Sequence, residues 1–275
     1  MVENELPGSK ELLRSLKFPK PVPVIGITGP PGAGKSTLIS MILKALTAQG
    51  KSVGVVAVDP TSPFTHGSLL GDRLRMSEHF VSESVFIRSL ATRGSLGGLS
   101  AKSIEITDLM RAFGFDMIIL ETVGVGQSEV EIVGLADLTI LVLVPEAGDE
   151  VQTLKSGIME IADIYVVNKS DRDGADLFVK NLISLVQSKH EFNTPIIKTV
   201  ATRSEGISEI NDAIEKLWLP HHNEKQTWLL TEKAYRLIGQ QRMKDVSREL
   251  LKTGILEAQK KTSFNLYEYV NQFLL

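Results

Sequence analysis

The residues most able to do chemistry stand together near the start of the chain. Gly29-Pro30-Pro31-Gly32-Ala33-Gly34-Lys35-Ser36 is a complete G-x-x-x-x-G-K-S pattern. Glycines let successive backbone N–H groups curl around phosphate oxygens where side chains would clash. A helix starting here adds its positive end, and Lys35 adds a point charge for the β- and γ-phosphates. Ser36 supplies a hydroxyl ligand for Mg²⁺. Gly29, Pro31, Gly32, Ala33 and Gly34, with Lys35, Ser36 and the following Thr37, are the phosphate-contact candidates. The bland alternative is a glycine turn leading into a helix. A chance match in a chain of this length is on the order of one in a hundred. A strand before the loop and a helix after it lower that further.

A second cluster chooses the base. Asn168-Lys169-Ser170-Asp171 follows an apolar run at Ile164–Val167. The Asp171 carboxylate can accept from N1–H and the exocyclic amino group of guanine. Adenine has no such donor pair, so ATP would leave a charge unpaired. Lys169 would lay its stem along the base, and Asn168 would tie this loop to the P-loop. Near Val200-Ala201-Thr202, Ala201 is placed to add a backbone N–H to the guanine carbonyl oxygen. The nucleotide read from these residues is GTP or GDP.

Two more segments, Val58-Asp59-Pro60 and Glu121-Thr122-Val123-Gly124, end apolar runs and point to the same sheet edge, where doubly wound proteins bind ligands. Asp59, Asp72 and Glu121, with Ser36, are candidates for the Mg²⁺ shell, directly or through water. Gly124 is positioned to sense the γ-phosphate through its N–H. Val125 stands where Ras-like switches carry a water-positioning glutamine. Slow intrinsic hydrolysis is the expectation, accelerated when a partner rearranges the switches. Gln127, Glu129, Arg75 and Lys155 are the substitutes available.

These residues need a scaffold, and the hydrophobic pattern describes one. Apolar runs at Val22–Thr28, Val53–Val58, Val85–Arg88, Met117–Glu121, Thr139–Val144, Ile164–Asn168 and Ile196–Val200 read as strands covered on both faces. Helical stretches at Ser36–Ala48, Ser100–Phe113, Asp149–Ile161 and Ala175–Ser188 alternate with them. The pattern predicts an α/β fold, a doubly wound, mostly parallel sheet. The organisation reads as a short N-terminal helical segment (1–20), a P-loop domain (21–220) and a helical extension (221–275). In the extension, Glu224 to Lys261 predicts one or two helices, with a short final helix around Phe264–Phe273. That tail is either a cap on the sheet or an oligomerisation arm.

Composition excludes other classes. The 275 residues carry 30 lysines and arginines against 33 aspartates and glutamates, a formal charge of −3. That balance offers no bulk pull toward nucleic acid or anionic lipid. No cysteine is present, which removes disulfides, thiol catalysis and cysteine-held metals. The longest apolar run, Leu138 to Val144, is far short of the roughly 20 residues of a membrane span. A cytoplasmic protein is the expectation.

Taken together, the motifs resemble one family. Gly26 to Thr37, Val58-Asp59-Pro60-Thr61-Ser62, Gly71-Asp72-Arg73-Leu74-Arg75-Met76, Ala91 to Gly98 and Glu121 to Glu129 are similar to the methylmalonyl-CoA mutase-associated GTPases, the MeaB/ArgK-type metallochaperone class. The match runs from about Val24 to Ile210. The resemblance implies a chaperone that uses GTP to gate cofactor loading of an adenosylcobalamin-dependent acyl-CoA mutase and to protect or reactivate it. It also implies a homodimer held by C-terminal helices, and an additional switch over Pro145 to Lys155. Within that switch Gln152 and Lys155 are expected to move onto the phosphates when the mutase docks, joining Lys35, Asp59 and Glu121 as catalytic candidates. Glu146 stands where the family commonly has a small residue. Three alternatives stay open: a nickel metallochaperone GTPase, a transport-linked ATPase or kinase, and a non-catalytic nucleotide-binding module.

Overall fold

The computed structural model describes residues 1–4, 6–59, 76–79, 81–91, 101–122, 134–147, 159, 162–187, 194–218, 224–260 and 264–273. Among the described residues seven strands form one sheet: β1 (Val24–Thr28), β2 (Val53–Asp59), β3 (Val85–Ala91), β4 (Met117–Thr122), β5 (Leu138–Leu143), β6 (Ile164–Val167) and β7 (Ile196–Lys198). Their order is β3-β2-β4-β1-β5-β6-β7, and every described pairing between them is parallel. The α/β, doubly wound architecture predicted from the alternating pattern is therefore observed. All seven expected strands form, within a few residues of their expected ends.

Among the described residues the helices are α1 (Ser9–Arg14), α2 (Lys35–Ala48), α3 (Ala101–Phe113), α4 (Ala175–Gln187), α5 (Ile207–Leu217), α6 (Glu224–Arg242), α7 (Arg248–Ala258) and α8 (Leu266–Asn271). The expected helix Asp149–Ile161 lies outside the described residues, Met159 aside. Helix α5 was not among the sequence candidates. Its signal was present in Ile207, Ile210 and Ile214, which recur at helical spacing and are all buried.

Central strands are apolar at nearly every position because both sheet faces are covered. Alternate residues go to opposite sides. Ile140, Val142, Ile164 and Val166 pack with Leu38, Ile39, Ile42 and Leu43 of α2 and with Ile210 and Ile214 of α5. Leu141, Leu143, Tyr165 and Val167 pack instead with Phe178, Leu182 and Val186 of α4. Each such buried side chain contributes roughly 1.5–3 kcal/mol. These layers hold α2, and so the loop before it, against the sheet centre.

At the N-terminal ends of the strands, three aspartates do the same local job. Asp116 Oδ2 accepts from Ser52 N at 2.8 Å, Asp137 Oδ2 from Val24 N at 2.8 Å, and Asp163 Oδ2 from Thr139 N at 2.7 Å. Each aspartate's own N–H donates back to the carbonyl of the same residue, at 2.9, 2.7 and 2.9 Å. Backbone donors at strand starts are thereby satisfied in reciprocal pairs.

The chain divides into two compact units, Met1–Leu229 and Leu230–Leu275. In the second, Ser247 caps α7 through Leu250 N at 3.0 Å, and Asn265 caps α8 through Tyr267 N at 2.9 Å. Tyr269 packs its ring against Phe264 and Phe273. Its hydroxyl approaches Gly254 so closely that a Cβ there would lie 2.1 Å away. None of the described helices is long and apolar enough to cross a membrane.

Candidate nucleotide site

The site grows out of the C-terminal end of β1. After Thr28 the backbone turns at Gly29 with φ 143°, and a Cβ there would sit 2.1 Å from the Val142 carbonyl oxygen on β5. Only glycine allows that approach. The loop closes with Ala33 N donating to Pro30 O at 3.2 Å, and α2 begins after Gly34, whose φ is 87°. A Cβ at Gly34 would lie 2.5 Å from Asn168 Nδ2. Both glycines are thus demanded by neighbours on β5 and just beyond β6 as well as by local geometry.

Lys35 is 7% exposed, and its ammonium donates to Gly29 O at 2.7 Å and Pro30 O at 3.1 Å. The charge is therefore held inside the loop curve. Pro31 and Gly32 are exposed at the tip, Ala33 is buried and Thr37 half-buried. One residue further into the helix than Lys35, Ser36 Oγ donates to Glu121 Oε1 at 2.7 Å. Glu121 stands near the end of β4 and is 4% exposed. Strand pairing sets this contact, because Ile27 is in register with Glu121 across β1 and β4. Thr122 Oγ1 donates to Thr28 Oγ1 at 3.1 Å just beyond, joining the same two strand ends. A hydroxyl and a buried carboxylate meeting with oxygen atoms is the donor set a hard cation takes.

The Asn168–Asp171 loop arrives from β6. Asn168, 3% exposed, donates from Nδ2 to Ala33 O at 2.9 Å and so clamps the P-loop. Its Oδ1 accepts from Thr199 Oγ1 at 3.1 Å and Ala201 N at 3.2 Å. The Ala201 N–H, read from sequence as a donor to the base, is thus engaged by Asn168. Lys169 takes a left-handed φ of 56° and donates from Nζ to Gly32 O at 2.8 Å. Asp171 Oδ2 accepts from Arg203 Nη2 at 3.0 Å. Beside it, Arg172 donates to Glu146 in the turn after β5. That hydrogen bond, with the Arg172 charge, lowers the Glu146 pKa below the usual glutamate value.

The structure thus brings together Gly29 to Thr37, Glu121, Asn168, Lys169, Asp171 and Ala201 along one edge of the sheet. Asp59 stands at the C-terminal end of β2 on that edge, where its backbone pairs with Ala91. Asp72, Gly124, Gln152 and Lys155 lie outside the described residues, as do Arg75, Gln127 and Glu129. Sequence reasoning did not single out Arg172 or Arg203. The signal available was their position, directly after Asp171 and two residues after Ala201.

Comparisons with known proteins speak to family and fold. A Pyrococcus abyssi relative is 44% identical over 279 residues, spanning 98% of this chain and 82% of its own length. The GTPase ArgK of Escherichia coli is 40% identical over 197 residues, 69% of this chain and 60% of its own. The mitochondrial methylmalonic aciduria type A homolog of Mus musculus is 41% identical over 202 residues, covering 70% of this chain and 48% of its own. Among solved structures, a LAO/AO transport system kinase superposes with TM-score 0.66 at 24% identity, covering 99% of this chain and 88% of that one. The hydrogenase maturation factor HypB of Archaeoglobus fulgidus superposes with TM-score 0.53 at 19% identity, covering 76% and 94%. At those identities the two likenesses speak for the fold alone. The model of the methylmalonyl-CoA mutase-associated GTPase MeaB matches residues 1–258, and the chain belongs to that family.

Proposed function

We propose that this protein hydrolyses GTP in the presence of Mg²⁺ and serves as a chaperone of an adenosylcobalamin-dependent acyl-CoA mutase. The observation that carries the nucleotide half is the Asn168 clamp, which joins Ala33 of the phosphate loop to the loop bearing Asp171. One side chain couples phosphate binding to base reading. The mutase half rests on membership of the MeaB family and on the mouse relative.

In this reading Gly29 to Thr37 wrap the phosphates with backbone N–H groups, and Lys35 adds its charge. Asp171 reads N1–H and the amino group of guanine, Lys169 covers the base, and Ala201 borders it. Ser36 and Glu121 would hold Mg²⁺, with Asp59 and Asp72 as further candidates. When bound, that ion supplies charge neutralisation at the phosphate oxygens. Glu121 keeps the Ser36 hydroxyl oriented, its carboxylate accepting the hydroxyl proton's hydrogen bond. Gly124 contacts the γ-phosphate, and Gln152 and Lys155 complete the site when the mutase docks. Intrinsic turnover is slow because Val125 cannot position water.

The helical extension serves dimerisation. Leu230, Tyr235 and Ile238 of α6, and Leu250 and Leu256 of α7, are exposed apolar side chains suited to a second copy. The protein works in the cytoplasm, away from nucleic acid and membranes. Phosphate release from GTP and ATP, each with and without a purified cobalamin-dependent acyl-CoA mutase, tests the whole reading. Slow GTP turnover that the mutase accelerates, with ATP inert, is the expected result. GTP turnover indifferent to every such mutase would keep the GTPase and remove the client. Lys155→Ala should lose the mutase-stimulated part while keeping GDP affinity.

A further inference from the structure

Two loops meet beyond β6 and β7, and a series of hydrogen bonds stitches them together. Ser170 N donates to Thr199 O at 3.0 Å, and Thr199 Oγ1 and Ala201 N both reach Asn168 Oδ1. These bonds hold the backbone and the clamp residue. A further bond lands on the base-reading carboxylate itself, where Arg203 Nη2 stands 3.0 Å from Asp171 Oδ2. The other end of the guanidinium faces Glu205 Oε1 at 3.8 Å.

Arg203 is itself held in place. Its N–H donates to Val200 O at 2.8 Å, and Val200 and Glu205 exchange backbone bonds of 3.2 and 3.3 Å across the turn. Ser204 between them takes φ 59°, a left-handed conformation uncommon for a residue with a Cβ. The turn 200–205 is therefore a closed structure that projects one cation toward Asp171.

We infer that Arg203 is a positioning residue for base selection, fixing the plane of the Asp171 carboxylate so that both oxygens meet the guanine edge. The inference rests on the GTP reading above. A carboxylate has two oxygens and about four lone-pair sites, so one bond from Arg203 leaves enough to accept N1–H and the amino group. The terminal torsion of an aspartate is broad, and a partly exposed carboxylate turns freely. A planar guanidinium on a rigid turn removes that freedom before the base arrives, which is pre-organisation. The benefit is largest for a ligand that needs both oxygens. Guanine does; hypoxanthine, which lacks the amino group, needs one.

The test compares GDP, IDP and XDP affinities, and GTP turnover, for the full chain and its R203A, R203K, D171N and D171N/R203A variants. Arg203 is on the surface, so its removal should leave the fold intact. R203A should weaken GDP binding by about three- to tenfold and IDP binding by less, with the loss in KM for GTP rather than in kcat. R203K should recover part of it. D171N should exchange guanine for xanthine preference, and adding R203A to it should change XDP affinity by less than about twofold. GDP and IDP weakened equally by R203A would mark a merely structural loop contact and overturn the inference. So would wild-type GDP affinity in R203A alongside a successful D171N exchange. Guanine preference surviving D171N would instead sink the base assignment on which Arg203 depends.

Discussion

The two ends of the sheet carry similar residue types used in opposite ways. At the N-terminal end, Asp116, Asp137 and Asp163 each satisfy the backbone N–H of a neighbouring strand, and Asp137 also takes Arg111 at 2.9 Å. Their contacts are local and closed. At the C-terminal end, Glu121 meets a hydroxyl, Lys35 meets loop carbonyls, and Asp171 meets an arginine at the surface. Those partners are ones that a cation, a phosphate or a base could replace or share. Carboxylates at one end close backbone contacts, and at the other they hold side-chain partners that a ligand could replace. The difference follows from parallel strands, which all begin at one edge and all end at the other.

Substitutions at the two ends should therefore separate stability from turnover. The largest effect is expected at the functional edge: Ser36→Ala should lower GTP turnover by about a hundredfold or more, with little change in unfolding midpoint. Phosphate release and a urea melt on the same preparation measure both, and a collapse in stability without a turnover defect in the folded fraction would erase the contrast. Next comes Asp137→Ala, which removes the Val24 cap and leaves Arg111, with its side chain 21% exposed, without its carboxylate. A loss of about 3 kcal/mol in urea unfolding is expected, with turnover per folded molecule preserved.

A smaller effect should appear in the pH dependence. Asp116 is lowered from 3.8 to about 2, first by its hydrogen bond to Lys20 and then by Ser52. Because the folded value is the depressed one, its contribution is present above the ordinary value near 3.8 and disappears as pH falls toward 2. The carboxylate is 37% exposed, so after screening the contribution is about 1 kcal/mol. Asp116→Asn should flatten the acid limb of stability between those values, and an unchanged limb would remove Asp116 from the structural set. The smallest change is expected from Glu146→Gln. Its pair with Arg172 is about half exposed on both sides, and thermal unfolding should report less than about 0.5 kcal/mol. A larger loss would mean that the functional edge also contains closed, stabilising pairs.

Much of this architecture is legible in the residues. Strand runs such as Leu138–Leu143 are apolar throughout, because burial on both faces leaves no polar position. The three aspartates were legible too, each standing directly before an apolar run at Met117, Leu138 and Ile164, yet they were not read. Helix α5 was legible in the same way: Ile207, Ile210 and Ile214 recur at helical spacing between the polar Ser208, Glu209, Asn211 and Asp212, and that isoleucine face packs against α2. Arg203 carried no spacing signal toward Asp171, since their meeting depends on β6 and β7 lying side by side.

The glycine-rich loop, the Asn168–Asp171 tetrapeptide and the alternating elements can be read without coordinates, because glycine conformation, helix starts and burial periodicity are written in neighbouring residues. Which side chains meet depends on how the strands are ordered and packed. Glu121 reaches Ser36 because β4 lies beside β1, and Asn168 reaches Ala33 across β5 because the strand order is β4-β1-β5-β6. Strand order depends on the packing of distant segments against both faces of the sheet, and no short window of residues contains it.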